Sequence, residues 1–293
     1  MLQRPKKIDY TSPAGAQGGP GVSKQITWYV GTPYIDMTPA VFTGVQQAIG
    51  ASLGDMWWLG GQGAASGGNA FMFVKATVGL TLGQLVAPAL PTTGTITVPG
   101  SPVTTVNAVT TNISNATAGV NGEVDNWFWG TVTGAALPQI RRIKANTAAA
   151  TGNFTFAQPD FLRPNSPFDK DALDTLPTNG DVCSIIRPYQ VIVSTATTIP
   201  IGVALGTVTA GNFTIVQVAG LAAVLANGSG VALVANEPAA PAAAGAMAGF
   251  AGTATALVGR CAPQFGMGGM LLPQIATAAA TLVIPAYVNF TGK

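Results

Sequence analysis

Most of this chain reads as short runs with a strand's two-residue alternation, broken every few residues by Gly, Pro, Asn or Thr. Asn69–Val78 predicts a strand with Phe71 and Phe73 on one face. Asn126–Thr133 predicts another, with Trp127 and Trp129 on one face and Phe128 on the other. Shorter runs at Ile26–Val30, Thr95–Val98 and Val103–Thr111 fit the same template. From 182 to 234 the pattern predicts a succession of hairpins. Val182–Ile186 and Gln190–Ser194 flank Arg-Pro-Tyr, and Pro200–Leu205 and Thr207–Thr209 lead to a turn at Ala210-Gly211-Asn212. Phe213–Val218 follows, and Leu221–Leu225 joins Val231–Val234 through Asn227-Gly228, a strong hairpin signal. The tail continues with Ala256–Val258, an Ala/Thr strand over 276–284, and Ala286–Phe290. One segment has helical spacing instead: Pro39–Ile49, with apolar residues at 41, 42, 45, 48 and 49, Thr38 as N-cap and Gly50 as stop. The expected fold is therefore mainly β, a compact sandwich or barrel-like arrangement with short helices.

Breaks in the pattern suggest the organisation. The Gly/Pro-rich run Ser12–Gly21 resists both helix and ladder, so residues 1–24 read as an extended arm. The segment Phe156–Pro177, rich in Pro, Asp and Asn, reads as a linker or exposed loop. These marks divide the chain into an arm (1–24), a β-rich domain with a short helix (25–165) and a second β-rich domain (166–293).

Composition sharpens this reading. Of 293 residues, 13 are basic and 11 acidic, together 8%, where an average domain carries about 25%. Glu123 and Glu237 are the two glutamates. Exposed helix faces normally need Glu, Lys and Arg, so a helix-rich protein is excluded. A net charge of +2 with 48% apolar residues excludes disorder of the whole chain. No charge falls in 76–122, 188–236 or 261–292. Those stretches are full of Thr, Asn, Gly and Pro, unlike the large apolar residues of a spanning helix. No apolar run follows Arg4, Lys6 and Lys7, so a secretory signal is not expected, and neither is a membrane location. Basic residues cluster only at Arg4, Lys6 and Lys7 and at Arg141, Arg142 and Lys144, too few for a nucleic-acid footprint. A soluble chain usually keeps charge outside for colloidal stability. A chain without it is expected to hide much of its surface in an assembly.

Candidate chemistry is sparse. The absence of histidine rules out histidine-dependent catalysis and histidine-ligated zinc. There is no phosphate-binding glycine motif, nucleophile elbow or metalloprotease motif. Cys183 and Cys261, 78 positions apart, read as small buried residues and not as a disulfide framework. Asp169, Asp171 and Asp174 are the densest acidic group and suit a hard cation, but they lack the glycine and closing glutamate of a calcium loop and read as a solvated loop. Neither catalytic, cofactor nor metal residues are expected. Trp57 and Trp58, and Trp127 with Trp129, read as core or interface anchors. With Arg4, Lys6 and Lys7 as donors on the arm, Trp57 and Trp58 make up the expected partner contacts.

Several stretches resemble the decoration, or cement, proteins of tailed-bacteriophage heads. Gly68–Val86 is similar to their aromatic, Val-Lys-Ala, then Gly-x-Leu-Val segment, here Val74-Lys75-Ala76 and Gly83-Gln84-Leu85-Val86. Ile201–Leu225 is similar to their Gly-Val-Ala, Ala-Gly-x-aromatic, Val-Gln and Gly pattern. Ala254–Arg260 resembles the approach to their closing strand. The likeness covers about 20 residues near position 80 and most of 190–290. The aromatic block 121–133 and the loop 156–177 depart from it, so extra domains or another virion position stay open. The resemblance implies a β domain made in the host cytoplasm and seated outside the capsid as a homo-oligomer, a trimer by preference, with the major capsid protein as partner. It implies a non-enzymatic role: clamping capsid subunits against genome pressure. The alternatives are a head fibre, tail or baseplate component, and a receptor-binding spike or glycan depolymerase.

Overall fold

The structure is a computed structural model that describes residues 6–8, 26–28, 36, 53–59, 69–97, 108–114, 122–124, 126–130, 139–148, 151–156, 173, 178–227, 231–249, 270–277 and 280–290. In chain order the strands are β1 (Lys6–Ile8), β2 (Ile26–Trp28), β3 (Met56–Leu59), β4 (Asn69–Ala76), β5 (Leu85–Thr95), β6 (Ala108–Thr111), β7 (Trp127–Gly130) and β8 (Gln139–Asn146). They continue with β9 (Gly152–Phe156), β10 (Val182–Val193), β11 (Gly202–Ala204), β12 (Phe213–Asn227), β13 (Ala240–Pro241), β14 (Met247–Ala248), β15 (Met270–Pro273) and β16 (Ala280–Asn289). The fold is mainly β, as the alternation predicts. Among the described residues the helical content is one 3-10 turn, Ala243–Gly245. No helix there is long and apolar enough to cross a membrane. The helix expected over 39–49 lies outside the described residues.

The chain divides into two compact units, 1–88 with 189–293, and 89–188. The boundary expected at 165/166 falls inside the second unit, where β7 and β10 pair across it from Cys183↔Gly130 to Ile186↔Trp127. The arm expected over 1–24 contains β1, which is laddered antiparallel to β2 from Lys6↔Trp28 to Ile8↔Ile26. Two strands, β5 and β10, run through the division. Each carries a proline at the crossing, Pro88 and Pro188, which withholds one N–H from the ladder.

In the first unit β12 is the hub. Residues 213–219 pair with β4, from Phe213↔Lys75 to Ala219↔Ala70. From Ala219 to Asn227 the strand pairs with β16. Where it changes partner the register shifts between Gln217 and Ala219, and Gly220 adopts φ +99. The Gln217 side-chain amide donates to the Ala219 and Leu221 carbonyls at 3.2 and 3.0 Å, so the bulge leaves them satisfied. Residues 214–219 are buried on both faces, and β4 is buried almost throughout, which suits their mostly apolar sequence, with Thr214 and Gln217 as buried polar exceptions. Ala70, Met72, Val74, Val86, Val191, Val216 and Val218 form one core cluster, and Leu85, Val203, Val224, Met247, Ile284 and Val288 a second. Burying each such valine, leucine, isoleucine or methionine side chain contributes about 1.5–3 kcal/mol.

Two expected hairpins are single strands instead. Arg187-Pro188-Tyr189 lies within the continuous strand β10 and does not turn. Proline's fixed φ is compatible with extended chain, so Pro188 signals a missing donor there, not a reversal. Likewise Phe213–Val218 and Leu221–Leu225 are one strand, bent at Gly220. Leu221–Leu225 pairs with Val283–Tyr287 and not with Val231–Val234, whose Leu233 bridges to Thr277.

The second unit has its own core of Ile96, Val109, Phe128, Ile143, Phe154 and Ile185. Phe128 is fully buried while Trp127 and Trp129 are partly exposed, as the alternation predicts. Its ring meets Phe156 at 5.3 Å between centroids, tilted by 49°.

Candidate functional site

The second half of β12, β16 and β15 form a three-stranded antiparallel ladder in the first unit. Period two sends alternate residues inward, Ala222, Val224 and Ala226 from β12 and Ile284, Ala286 and Val288 from β16, and these are buried. The opposite face is mostly apolar too, with Gln274 and Asn289 as polar positions on it. Leu272, Tyr287 and Leu221 lie in one row across the three strands. In the next row Pro285 faces Ala223, and the Gln274 N–H bonds to the Pro285 carbonyl at 2.9 Å. Val283 and Leu225 form the third row. An antiparallel sheet with one face in water normally alternates apolar and polar. Here the outward positions of β12 hold Leu221 and Leu225 where the inward ones hold Ala222 and Ala226. Leu221 is 49% exposed, Tyr287 42% and Val283 39%. No charged residue stands on these strands. The face is chemically suited to adhesion, and among its residues the Tyr287 phenol is the one titratable group.

Two described carboxylates, Glu123 and Asp36, are tied into structure. In the second unit the Arg187 guanidinium clamps the buried Glu123 carboxylate. Nε donates to both oxygens at 3.0 and 2.8 Å, and Nη2 to Oε1 at 2.7 Å. Arg187 Nη1 also donates to Thr92 Oγ1 at 2.6 Å. Asn126 Nδ2 donates to Glu123 Oε2 at 2.8 Å, and the Glu123 N–H to Asn146 Oδ1 at 2.9 Å. In the first unit Asp36 accepts from the Thr209 N–H and hydroxyl, both at 2.9 Å, and from Asn212 Nδ2 at 2.7 Å. Desolvation acts to raise the Asp36 pKa, but these three donors outweigh it and hold the carboxyl below the ordinary aspartate value. Cys183 is a free, buried thiol, pushed up to about 11 by desolvation, which keeps it protonated and inert at neutral pH.

The residues expected to touch a partner are placed as follows. Lys6 and Lys7 lie in β1, and Arg4 outside the described residues. Trp57 and Trp58 lie in β3, in register with Phe71 and Ala70 of β4. Asp169, Asp171, Asp174 and Cys261 are outside the described residues. Alternation splits the second basic cluster: Arg141 is buried, while Lys144 is exposed. Among the described residues no three of His, Cys, Asp and Glu converge as a metal site would need. Sequence reasoning missed the Glu123–Arg187 pair, because nothing links residues 64 positions apart before the fold is known. It missed the exposed ladder face as well, although the absence of charge from 188–236 and 261–292 was a usable signal.

Against family models, curated proteins and solved structures the chain has no match, so its own geometry and chemistry carry the functional reading.

Proposed function

We propose that this protein is a virion structural component that binds the outside of a tailed-phage capsid and cements neighbouring capsid subunits. The observation that carries the reading is the outward face of the β12–β16–β15 ladder, where Leu221, Val283 and Tyr287 stand exposed without a charge among them. Such a face favours coverage by another protein surface. The decoration-like stretches Gly68–Val86 and Ile201–Leu225 supply the kind of assembly. In this reading the chain is non-enzymatic and acts as a homo-oligomer, with Arg4, Lys6, Lys7, Trp57 and Trp58 toward the major capsid protein. One contact of about 1,000 Å² is weak. Engaging several capsid subunits at once makes later contacts intramolecular, and avidity rises without any new chemistry. Binding only the assembled shell shifts the equilibrium toward that shell.

The test is a quantitative gel of purified particles, paired with heat and osmotic challenge of particles made without the protein. The expected result is a copy number comparable to that of the capsid protein and particles that burst more readily in its absence. Absence of the chain from particles overturns the reading.

A further inference from the structure

We infer that the outward face around Trp127 and Trp129 of β7, in the second unit, is a binding platform for an acidic polysaccharide, a glycan chain that carries carboxylates. The inference goes beyond the cementing role and does not depend on it.

Alternation builds the platform. In the run β5–β10–β7–β8, strand β7 is laddered on both sides. Phe128 points into the core and is fully buried, so Trp127 and Trp129 point the other way, and both are partly exposed. They stand two residues apart on one strand, about 7 Å, on a backbone that a neighbour holds on either side. Each indole sits in a row across the strands. Trp127 lies between Arg142 on β8 and Ile186 on β10. Trp129 lies between Ile140 and Ser184, and Ser184 Oγ meets Thr93 Oγ1 of β5 at 3.0 Å. None of these flanking residues is buried.

Three kinds of group therefore share one surface, and together they select the ligand. An indole face carries the negative side of the ring quadrupole, which attracts the C–H bonds on one face of a sugar ring. The Ser184 and Thr93 hydroxyls each donate and accept, as sugar hydroxyls require. The charge on the face is positive. No Asp or Glu occurs in β5, β7, β8 or β10, and the nearby Glu123 and Asp181 are buried. Arg142 stands beside Trp127, and Lys144 is exposed two residues further along β8. A guanidinium meets a sugar carboxylate through two parallel hydrogen bonds, while the indole holds the ring. An apolar protein surface fits less well, because it would desolvate the guanidinium and the hydroxyl pair without replacing their hydrogen bonds. A single-stranded nucleic acid also stacks on indoles, but its affinity grows with the number of phosphates neutralised, and Arg142 and Lys144 would neutralise few.

Calorimetric titration of the full chain with a short oligogalacturonate tests this directly. The comparison ligands are the same oligomer with its carboxylates methyl-esterified, and oligothymidylate. The expected result is saturable binding of the acidic oligomer and binding of the other two at least about tenfold weaker. Trp129→Ala weakens binding of the acidic oligomer about fivefold or more, and Trp129→Phe, which keeps a flat ring, restores most of it. Arg142→Gln weakens the acidic oligomer about tenfold and leaves the ester unchanged. Tyr287→Ala removes an exposed aromatic ring of the first unit and leaves the affinity as it was. Melting temperature and the far-UV spectrum check that each variant is folded. If Trp129→Ala is not, the ester comparison and Arg142→Gln still decide. The inference is overturned by no binding of the acidic oligomer, by equal binding of its ester, by tighter binding of oligothymidylate, or by binding that folded Trp129→Ala and Arg142→Gln both leave intact.

Discussion

Gly220 shows how one residue without a side chain decides the path of a strand. Its φ of +99 belongs to the region that L side chains rarely adopt, and it sits where β12 exchanges β4 for β16. A Cβ added there would collide with the Asn69 side chain and lie 3.0 Å from the Asn69 Cα. Asn69 Oδ1 accepts from Gln217 Nε2 at 3.2 Å, and Gln217 is the residue that satisfies the carbonyls of the bulge. Gly220→Ala therefore strains the backbone and displaces a hydrogen-bonded side chain together. We expect a loss of about 2 kcal/mol, read as a lower denaturation midpoint with an unchanged slope. A loss within about 0.5 kcal/mol would mean that the bend does not depend on the glycine.

Among the elements, strands with a local signature were legible and their partners were not. β4 and β7 lie where alternation and aromatic content place them, because burial of one or both faces is written into consecutive residues. β10 and β12 were each read as two strands. Arg187-Pro188-Tyr189 and Ala219-Gly220 carry turn chemistry, and long-range pairing overrode it. The partner of Leu221–Leu225 is a strand some sixty residues later, and no local rule favours it over the nearer Val231–Val234. The outward face of β12 was hidden for a related reason. Its inward and outward positions are both apolar, so alternation cannot say which side meets solvent. The most consequential pairing of side chains in the second unit is equally non-local. Arg187 on β10 holds Glu123, with the two side chains 10% and 3% exposed. Arg187→Met keeps most of the packing and strands the carboxylate, so we expect a loss of about 3–5 kcal/mol in urea unfolding. Adding Glu123→Gln to it should restore a large part of that loss, since removing both charges costs far less than removing one. A single substitution as damaging as the pair would show that the packing of Arg187, and not its charge, carries the effect.

At the scale of the whole chain, the first unit is assembled from two pieces, 1–88 and 189–293, that the intervening hundred residues keep apart in sequence. Joining them costs chain entropy, which the β4–β12 ladder offsets with apolar burial. Asp36 adds a polar tie of the same kind, binding the early piece to the Thr209–Asn212 turn 173 residues later. That tie depends on ionisation. Held below the ordinary aspartate value near 3.8, the folded-state carboxyl contributes stability that is fully present above that value. The contribution is lost as pH falls through the lowered folded-state value, because the unfolded chain binds the proton first. Thermal unfolding of the parent should therefore fall more steeply between about pH 5 and pH 3 than that of Asp36→Asn, which has no proton to take up. The two curves should converge at the acid end and separate toward neutrality, with the parent higher. Parallel curves across this range would mean that the donors on Thr209 and Asn212 serve an uncharged acceptor as well as a carboxylate. In that case the tie closing the two pieces would be one of geometry alone.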